Sequence, residues 1–174
     1  KYGEGALVDL QNFNLEGSKA KNYRQVRSRA SRDGLSFEVI RGPYSKDLIR
    51  DLREVSDKWL DDRGERGYSL GFFKESYIQE SQLALIRDRE ARIIAFANIL
   101  PLTGPDKMTI DLMRFDRDLS PNGTMDYMFI ELLLYGKAQG VESFYLGVAP
   151  LSNVGLAKSS YLSEKLVHLV YKYG

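Results

Sequence analysis

The chain reads MTIDLMRF over residues 108–115 and PNGTMD over residues 121–126, and these two stretches decide the fold. The first predicts an apolar strand that carries an acid, Asp111, and a base, Arg114. The second predicts a tight turn and then a helix over Met125–Gln139, with Thr124 as its N-cap. Because backbone N–H groups at a helix start can hold an anion, this layout suits a transferase with an anionic substrate.

The composition excludes several classes of site. The chain has 174 residues, 43% of them hydrophobic and 28% charged, which is enough for one domain with a core. A net charge of +1 gives no global attraction to nucleic acid or membranes, and no apolar run is long enough to span a bilayer. Without cysteine, and with His168 as the single histidine, the chain offers no thiolate or multi-histidine metal site, so we expect no metal.

The hydrophobic pattern predicts helices and strands in an α/β (α+β) order, with a mixed central sheet flanked by helices. The expected strands, besides Met108–Phe115, are Ala6–Leu10, Leu35–Val39, Leu83–Arg87, Arg92–Leu100 and Ser143–Val148. The other expected helices are Ser18–Arg32, Ser45–Arg63 and Ser159–Tyr173, with a glycine- and aromatic-rich loop at Gly64–Phe73. The strand–turn–helix–strand order over Met108–Val148 resembles the centre of the N-acetyltransferase (GNAT) fold.

The first predicted helix is strongly basic. No acid lies between the first and the last of its six cations. These cations are Lys19, Lys21, Arg24, Arg27, Arg29 and Arg32. Such a helix can contact the phosphates of RNA or anionic lipid headgroups. A solvated helix face whose cations pair with acids elsewhere in the chain is an equally good interpretation. Tyr23 falls on the apolar stripe with Val26 and Ala30, so the pattern favours phosphate contact over base recognition.

Asp111 and Arg114 are the candidate catalytic residues. In a regular strand they point to opposite faces, with Asp111 on the same face as Met113. They can share a site only if the strand bulges or ends between them. A structural ion pair at the strand end is the alternative, because an acid within an apolar strand needs a partner.

Other polar positions are candidates for substrate binding. Asn122 and Gly123 lie in the turn before the helix, and Asn98 lies in an apolar strand, where it needs a buried hydrogen-bond partner. Ser69 lies in a loop that could cover a site, and Ser152 follows a strand end. The Gln/Arg-x-x-Gly-x-Gly/Ala loop that binds the coenzyme A pyrophosphate in ordinary acetyltransferases is absent, which counts against coenzyme A as the donor.

Several phrases, in order along nearly the whole chain, resemble the C-terminal catalytic domain of the multiple peptide resistance factor family, the phosphatidylglycerol lysyltransferases and their alanyl relatives. The matching phrases are GEGA at 3–6, SDKWL at 56–60, GYSLG at 67–71, AFAN at 95–98, DLMR at 111–114, PNGTMD at 121–126 and LGVAPLS at 146–152.

The resemblance implies an enzyme that moves a lysyl or alanyl group from charged tRNA to the glycerol hydroxyl of phosphatidylglycerol. It matches Asp111 and Arg114, and the pair Lys1 and Glu4, to family positions tied to activity. It implies a basic connecting part (residues 1–34) and the second GNAT-like domain of a tandem pair (residues 35–174). This chain would be a soluble fragment that follows a membrane-spanning part, at the cytoplasmic face of the bacterial membrane.

The implied reaction is a transesterification with charged tRNA as co-substrate, so we expect no cofactor. On this view Asp111 binds the α-ammonium of the donor or deprotonates the lipid hydroxyl, and Arg114 holds a phosphate or orients Asp111. Three alternatives stay open: transfer from charged tRNA to another acceptor, N-acetyl transfer from acetyl-coenzyme A, and a non-catalytic module that binds RNA or lipid. The sequence leaves the oligomeric state and the choice between lysyl and alanyl donors open.

Overall fold

The computed structural model of the chain describes residues 3–60, 72–101 and 106–150. The strands in these ranges are β1 (Gly3–Asp9), β2 (Ser36–Ile40), β3 (Gln82–Arg87), β4 (Ile93–Pro101), β5 (Lys107–Phe115) and β6 (Ser143–Pro150). The helices are α1 (Lys21–Asp33), α2 (Lys46–Leu60), α3 (Glu75–Glu80) and α4 (Thr124–Ala138). The strands form one sheet in the order β1-β6-β5-β4-β3-β2. Only β5 and β6 pair in parallel within this sheet, and its other neighbouring strands are antiparallel.

Helices cover both faces of the sheet, which explains why the central strands are almost continuously apolar. On one face α4 packs on a cluster that includes Ile86, Ala97, Ile99, Met108 and Phe144, and α1 packs against α4. On the other face α2 and α3 enclose a second cluster, which includes Leu52, Ile78, Leu85, Phe96 and Leu112. The mixed sheet with flanking helices confirms the fold class expected from the sequence.

The predicted elements inside the described ranges are all present, with boundaries shifted by up to three residues. Helix α3 was not predicted, because its six residues include one fully buried apolar side chain, Ile78, and show no helical repeat. The expected helix at Ser159–Tyr173 and most of the loop at Gly64–Phe73 lie outside the described residues.

The N-terminal segment belongs to the same sheet and core as the rest of the described chain. Strand β1 pairs with β6 from Gly3 opposite Pro150 to Asp9 opposite Ser143. The strand expected within residues 1–34 thus joins the sheet of the following part, and the division at residue 34 stays a prediction.

Helix α1 ends where the sequence predicts. Gly34 adopts φ +75°, and its N–H donates to the carbonyl of Ser31 at 3.1 Å, which satisfies a carbonyl of the last turn. The apolar stripe of this helix is narrower than expected, because Ala30 is buried while Tyr23 is 42% exposed and contacts the ring of Phe13. In the described part of the chain every helix is too short or too polar to cross a lipid bilayer.

Candidate functional site

The parallel strands β5 and β6 separate soon after they begin. Their pairing joins Lys107–Thr109 to Ser143–Tyr145, and the Thr109 hydroxyl donates to the carbonyl of Tyr145 at 2.8 Å. Beyond this point β5 continues along β4, whereas β6 continues along β1. The divergence opens the sheet at the centre of the fold, and Asp111 lies two residues past the last paired residue of β5.

A β-bulge places Asp111 and Arg114 on the same face of the sheet. Ala97 pairs with Met113 and Ile99 pairs with Ile110, so β5 carries one more residue than β4 between these pairs. Ile110 and Met113 both pack on the α4 side, whereas Leu112 belongs to the cluster under α2. The expectation that Asp111 and Met113 share a face is therefore wrong. The bulge that the two catalytic candidates require is present.

Asn98 holds the bulge in place. Its side-chain Oδ1 accepts hydrogen bonds from the backbone N–H of Leu112 at 2.6 Å and of Asp111 at 3.2 Å. Asn98 is completely buried, and its side chain also interacts with Tyr77, where a hydrogen bond from Asn98 lowers the pKa of the phenol. The buried partner that this position needs is thus the irregular backbone of β5.

Tyr77, on α3, is a site residue that the sequence did not indicate. Its hydroxyl donates to Oδ2 of Asp111 at 2.7 Å. Burial raises the pKa of this phenol, and the hydrogen bond to the Asp111 carboxylate raises it further, so Tyr77 stays a proton donor at neutral pH.

Arg114 lies beneath helix α2. It is 3% exposed, and its guanidinium carbon sits 3.9 Å from the ring centroid of Trp59. A cation stacked on an indole ring in a desolvated position stabilises the contact between helix and strand. The structure brings Asp111 and Arg114 to one face and gives them different surroundings, Tyr77 of α3 for Asp111 and Trp59 of α2 for Arg114.

Asp116 fixes the loop that leads from β5 towards α4. Its Oδ2 accepts from Lys58 Nζ at 2.8 Å, and its Oδ1 accepts from the backbone N–H of Asp118 and Leu119. Burial raises the pKa of this carboxyl, but the hydrogen bond from Lys58 and those backbone bonds outweigh burial, so the pKa lies below its ordinary value.

The lowered pKa of Asp116 predicts a pH-dependent contribution to stability. Because the folded pKa is depressed, the stabilisation is present above the ordinary value of 3.8 and is lost as the pH falls through the folded value. We expect Asp116→Asn to lower the free energy of unfolding by about 1 kcal/mol at pH 7, since Lys58 is half exposed. Urea unfolding of the chain at a series of pH values would show the difference shrinking below 3.8.

Asp57→Asn, at an exposed position of α2, serves as the control and should change stability by less than about 0.5 kcal/mol. A difference between Asp116→Asn and the parent chain that stays constant down to the lowest pH would contradict this account.

The other face of the sheet carries a basic cavity. A cavity of about 870 Å³ lies between α1 and the start of α4. Its walls combine cations from α1 with residues from the turn before α4, namely Lys21, Arg24, Arg29 and Arg32 with Asn122, Gly123, Thr124 and Asp126. The helix predicted to contact phosphates and the turn predicted to hold an anionic substrate therefore line the same space.

The cations of the basic helix differ in what they contact. Arg27 is paired with Glu131 of α4 through a 2.5 Å contact, so it joins the two helices. Arg24 donates to the carbonyls of Leu15 and Gly17 and fixes the turn before the helix. Arg29, Arg32 and Lys21 line the cavity, and Lys19 is exposed in that turn. The pairing of Arg27 with Glu131 fits the alternative interpretation, in which cations of the helix pair with acids elsewhere in the chain.

The start of α4 differs from the expected cap. Gly123, with φ +93°, occupies the N-cap position, and Thr124 lies inside the helix with its hydroxyl donating to the carbonyl of Pro121 at 2.7 Å. Glycine is favoured here because other residues rarely adopt a positive φ. No side chain caps the first turn of α4, and Gly123, Thr124 and Asp126 of this turn line the cavity.

Three predicted site residues, Lys1, Ser69 and Ser152, lie outside the described residues. Glu4 is placed in β1 opposite Ala149 of β6, on the strand that accompanies β6 beyond its divergence from β5.

Comparison with known proteins identifies the family to which the chain is similar. The whole chain, residues 1–174, matches the family model described as phosphatidylglycerol lysyltransferase, C-terminal. The chain is 40% identical over 171 residues to the phosphatidylglycerol lysyltransferase of Bacillus subtilis (strain 168), with 98% of this chain and 20% of that protein covered. The enzyme of the same name from Staphylococcus aureus (strain COL) is 36% identical over 173 residues, covering 99% and 20%.

Solved structures give the same result. L-PGS from Bacillus licheniformis superposes with a TM-score of 0.82 at 41% identity, covering 96% of this chain and 52% of that chain. A GCN5-related glucosamine N-acetyltransferase region from a fungal β-N-acetylglucosaminidase superposes with a TM-score of 0.57 at 13% identity, covering 85% and 18%, which shows a shared fold. The chain spans about one fifth of the length of the curated relatives it matches. With a match along its whole length, the chain belongs to the C-terminal domain family of the phosphatidylglycerol lysyltransferases.

Proposed function

We propose that this chain is the catalytic domain of an enzyme that transfers a lysyl or alanyl group from charged tRNA to the glycerol hydroxyl of phosphatidylglycerol. The observation that carries the proposal is the setting of Asp111. Its carboxylate lies on a bulge beside the divergence of β5 and β6, with Oδ2 held by Tyr77 and no hydrogen bond to Oδ1 from the described residues. A carboxylate oxygen fixed in this way can act as a general base.

The reaction needs a proton acceptor and a proton donor at one place. The lipid hydroxyl oxygen attacks the carbonyl carbon of the aminoacyl ester, and the bond from that carbon to the ribose oxygen breaks. Asp111 takes the hydroxyl proton as the new ester bond forms and returns it to the ribose oxygen as that oxygen leaves. One ester is exchanged for another, so the balance of the reaction requires no cofactor.

The two faces of the sheet suit the two substrates. The basic cavity fits the phosphates of the tRNA acceptor end, because four cations of α1 line it together with the first residues of α4. Asp111 lies on the opposite face, beside the point at which β5 and β6 diverge. The aminoacyl ester would enter from the cavity and meet the lipid hydroxyl at Asp111.

Arg114 has a positioning role in this proposal. At 3% exposure its guanidinium is buried and stacked on Trp59 of α2. Of the two roles considered for it, orienting the strand that carries Asp111 is therefore favoured over binding a phosphate.

The cellular context is also a proposal. Phosphatidylglycerol lies in the membrane, so the enzyme would work at the cytoplasmic membrane surface, held there by a membrane-spanning part in the rest of the protein. A lysyl headgroup adds positive charge to an anionic lipid, which weakens the attraction of the surface for cationic peptides. Resistance to such peptides would follow.

The test is a transfer assay on the complete synthase that contains this chain. The enzyme is incubated with phosphatidylglycerol vesicles and tRNA charged with radiolabelled lysine or, separately, alanine, and the label in the lipid extract is counted. Phosphatidylethanolamine vesicles, which lack the glycerol headgroup, are the acceptor control. Radiolabelled acetyl-coenzyme A is the donor control.

We expect label in phosphatidylglycerol from one charged tRNA and none from acetyl-coenzyme A. Label from acetyl-coenzyme A would overturn the aminoacyl donor. Consumption of charged tRNA without lipid label would identify another acceptor, and binding of tRNA without any transfer would make the domain a non-catalytic module.

The basic cavity predicts how the enzyme binds tRNA. Replacing both Arg29 and Arg32 by glutamate should raise KM for charged tRNA by about tenfold or more at low salt, with little change in kcat. Because phosphate contacts release counterions, the dependence of log KM on log salt concentration should also become shallower by roughly one to two. Initial rates at several tRNA and salt concentrations measure both effects.

Arg50→Glu is the matched control, because Arg50 is an exposed arginine of α2 that pairs with Asp47. If the double variant of Arg29 and Arg32 kept the parent KM for tRNA but required more anionic vesicles, the basic helix would be assigned to the lipid surface instead.

A further inference from the structure

Helix α3 carries a residue that holds the catalytic carboxylate. The Tyr77 hydroxyl lies 2.7 Å from Asp111 Oδ2, which is the length of a hydrogen bond from a neutral donor to a charged acceptor. Tyr77 is partly buried, so little water competes for this bond. Asp111 is thus restrained from two directions, through its backbone by Asn98 and through its side chain by Tyr77.

The surroundings of α3 keep Tyr77 in position. The Gln79 side chain accepts from the backbone N–H of Tyr44 at 2.8 Å and donates to the Tyr44 carbonyl at 3.0 Å. The Tyr44 hydroxyl donates to the carbonyl of Ser81 at 2.7 Å, and Ile78 is completely buried. These bonds join the residues that follow Tyr77 to the segment before α2, so a helix too short to be stable alone has a fixed place.

We propose that Tyr77 is the positioning residue of Asp111, selecting the carboxylate orientation in which Oδ1 faces the reacting hydroxyl. The inference rests on the proposed function, since it assigns a task within that reaction. Oδ2 is occupied by the phenol, so Oδ1 is the oxygen available to take the proton. Because a small error in the placement of a base costs a large factor in rate, a single hydroxyl can control turnover without contacting a substrate.

The test is Tyr77→Phe in the complete synthase, assayed for transfer from charged tRNA to phosphatidylglycerol. The variant removes one oxygen atom and leaves the ring. We expect kcat to fall by about tenfold or more, with KM for both substrates within roughly twofold of the parent values. Tyr135→Phe is the matched control, because the Tyr135 hydroxyl lies on α4 and contacts the amide of Gln82 at 3.3 Å, away from Asp111.

A double variant separates this inference from the proposed function. If Tyr77 acts only through Asp111, then adding Tyr77→Phe to Asp111→Asn should cause no further loss, because residues that act as a unit are not additive. An unchanged kcat in Tyr77→Phe, or losses that multiply in the double variant, would overturn the positioning role while Asp111→Asn still supports the reaction. Full activity in Asp111→Asn would overturn the proposed function itself.

The thermal midpoint of each variant is measured alongside the rates. A midpoint within a few degrees of the parent value is expected for Tyr77→Phe, since it removes one partly exposed hydrogen bond. A large fall in the midpoint, with activity lost in proportion to unfolding, would make the hydroxyl a structural group and overturn the proposal.

Discussion

Asp111→Asn is expected to lower kcat for aminoacyl transfer by about a thousandfold, within the range that general bases contribute. Asparagine keeps the shape of the side chain, and its amide can still meet the Tyr77 hydroxyl, so the bulge should persist. What is lost is the oxygen that accepts the proton of the lipid hydroxyl. Transfer of radiolabelled lysine or alanine from charged tRNA to phosphatidylglycerol vesicles measures the effect.

Asp57→Asn, which changes an exposed carboxylate on α2, is the control and should transfer label at the parent rate. KM for tRNA in Asp111→Asn should stay close to the parent value, because the basic cavity lies on the other face of the sheet. If Asp111→Asn mainly raised a KM and kept kcat, then Asp111 would bind the donor ammonium and another group would take the proton.

Asn98→Leu is expected to lower the free energy of unfolding by about 2–5 kcal/mol. Leucine has a similar shape but cannot accept a hydrogen bond, so the backbone N–H groups of Asp111 and Leu112 would lose their partner in a buried position. Each buried donor left without an acceptor costs about 1–3 kcal/mol. Denaturant unfolding measures the total, and faster hydrogen exchange at the amides of Asp111 and Leu112 would locate it.

Met113→Leu is a suitable comparison, since it changes an apolar side chain on the opposite face of the same bulge and should cost less than about 1.5 kcal/mol. If Asn98→Leu left the exchange of both amides unchanged, the bulge would be held by strand geometry and the role given to Asn98 would be wrong.

Much of the fold follows from the apolar pattern of the sequence, whereas the site depends on irregularities that such patterns hide. Strands β3 to β6 and helices α2 and α4 were predicted because each contributes a run of apolar residues to one of the two cores. The ion pair of Arg27 with Glu131 joins positions 104 residues apart, so no local pattern could show it.

The sequence of β5 carries a signal for the bulge, but the assumption that side chains alternate regularly along the strand concealed it. Met108 and Ile110 occupy even positions of the strand, whereas Met113 and Phe115 occupy odd positions, and all four pack on the α4 side. The shift from even to odd marks one extra residue between Ile110 and Met113. Tyr77 gave no comparable signal, because α3 is too short to show a repeat and its partner is 34 residues away.

The bulge also makes β5 unusually sensitive to changes in length. Deletion of the codon for Asp111 would restore an ordinary pleated strand, in which Ile110 and Met113 still face one core and Leu112 still faces the other. The shortened protein would lose the carboxylate but keep the alternation of its apolar side chains, so it would be expected to fold and lose its chemistry. During evolution, a deletion at this place could therefore remove the activity while the fold persists. Relatives that lack the extra residue would be expected to have a different catalytic group.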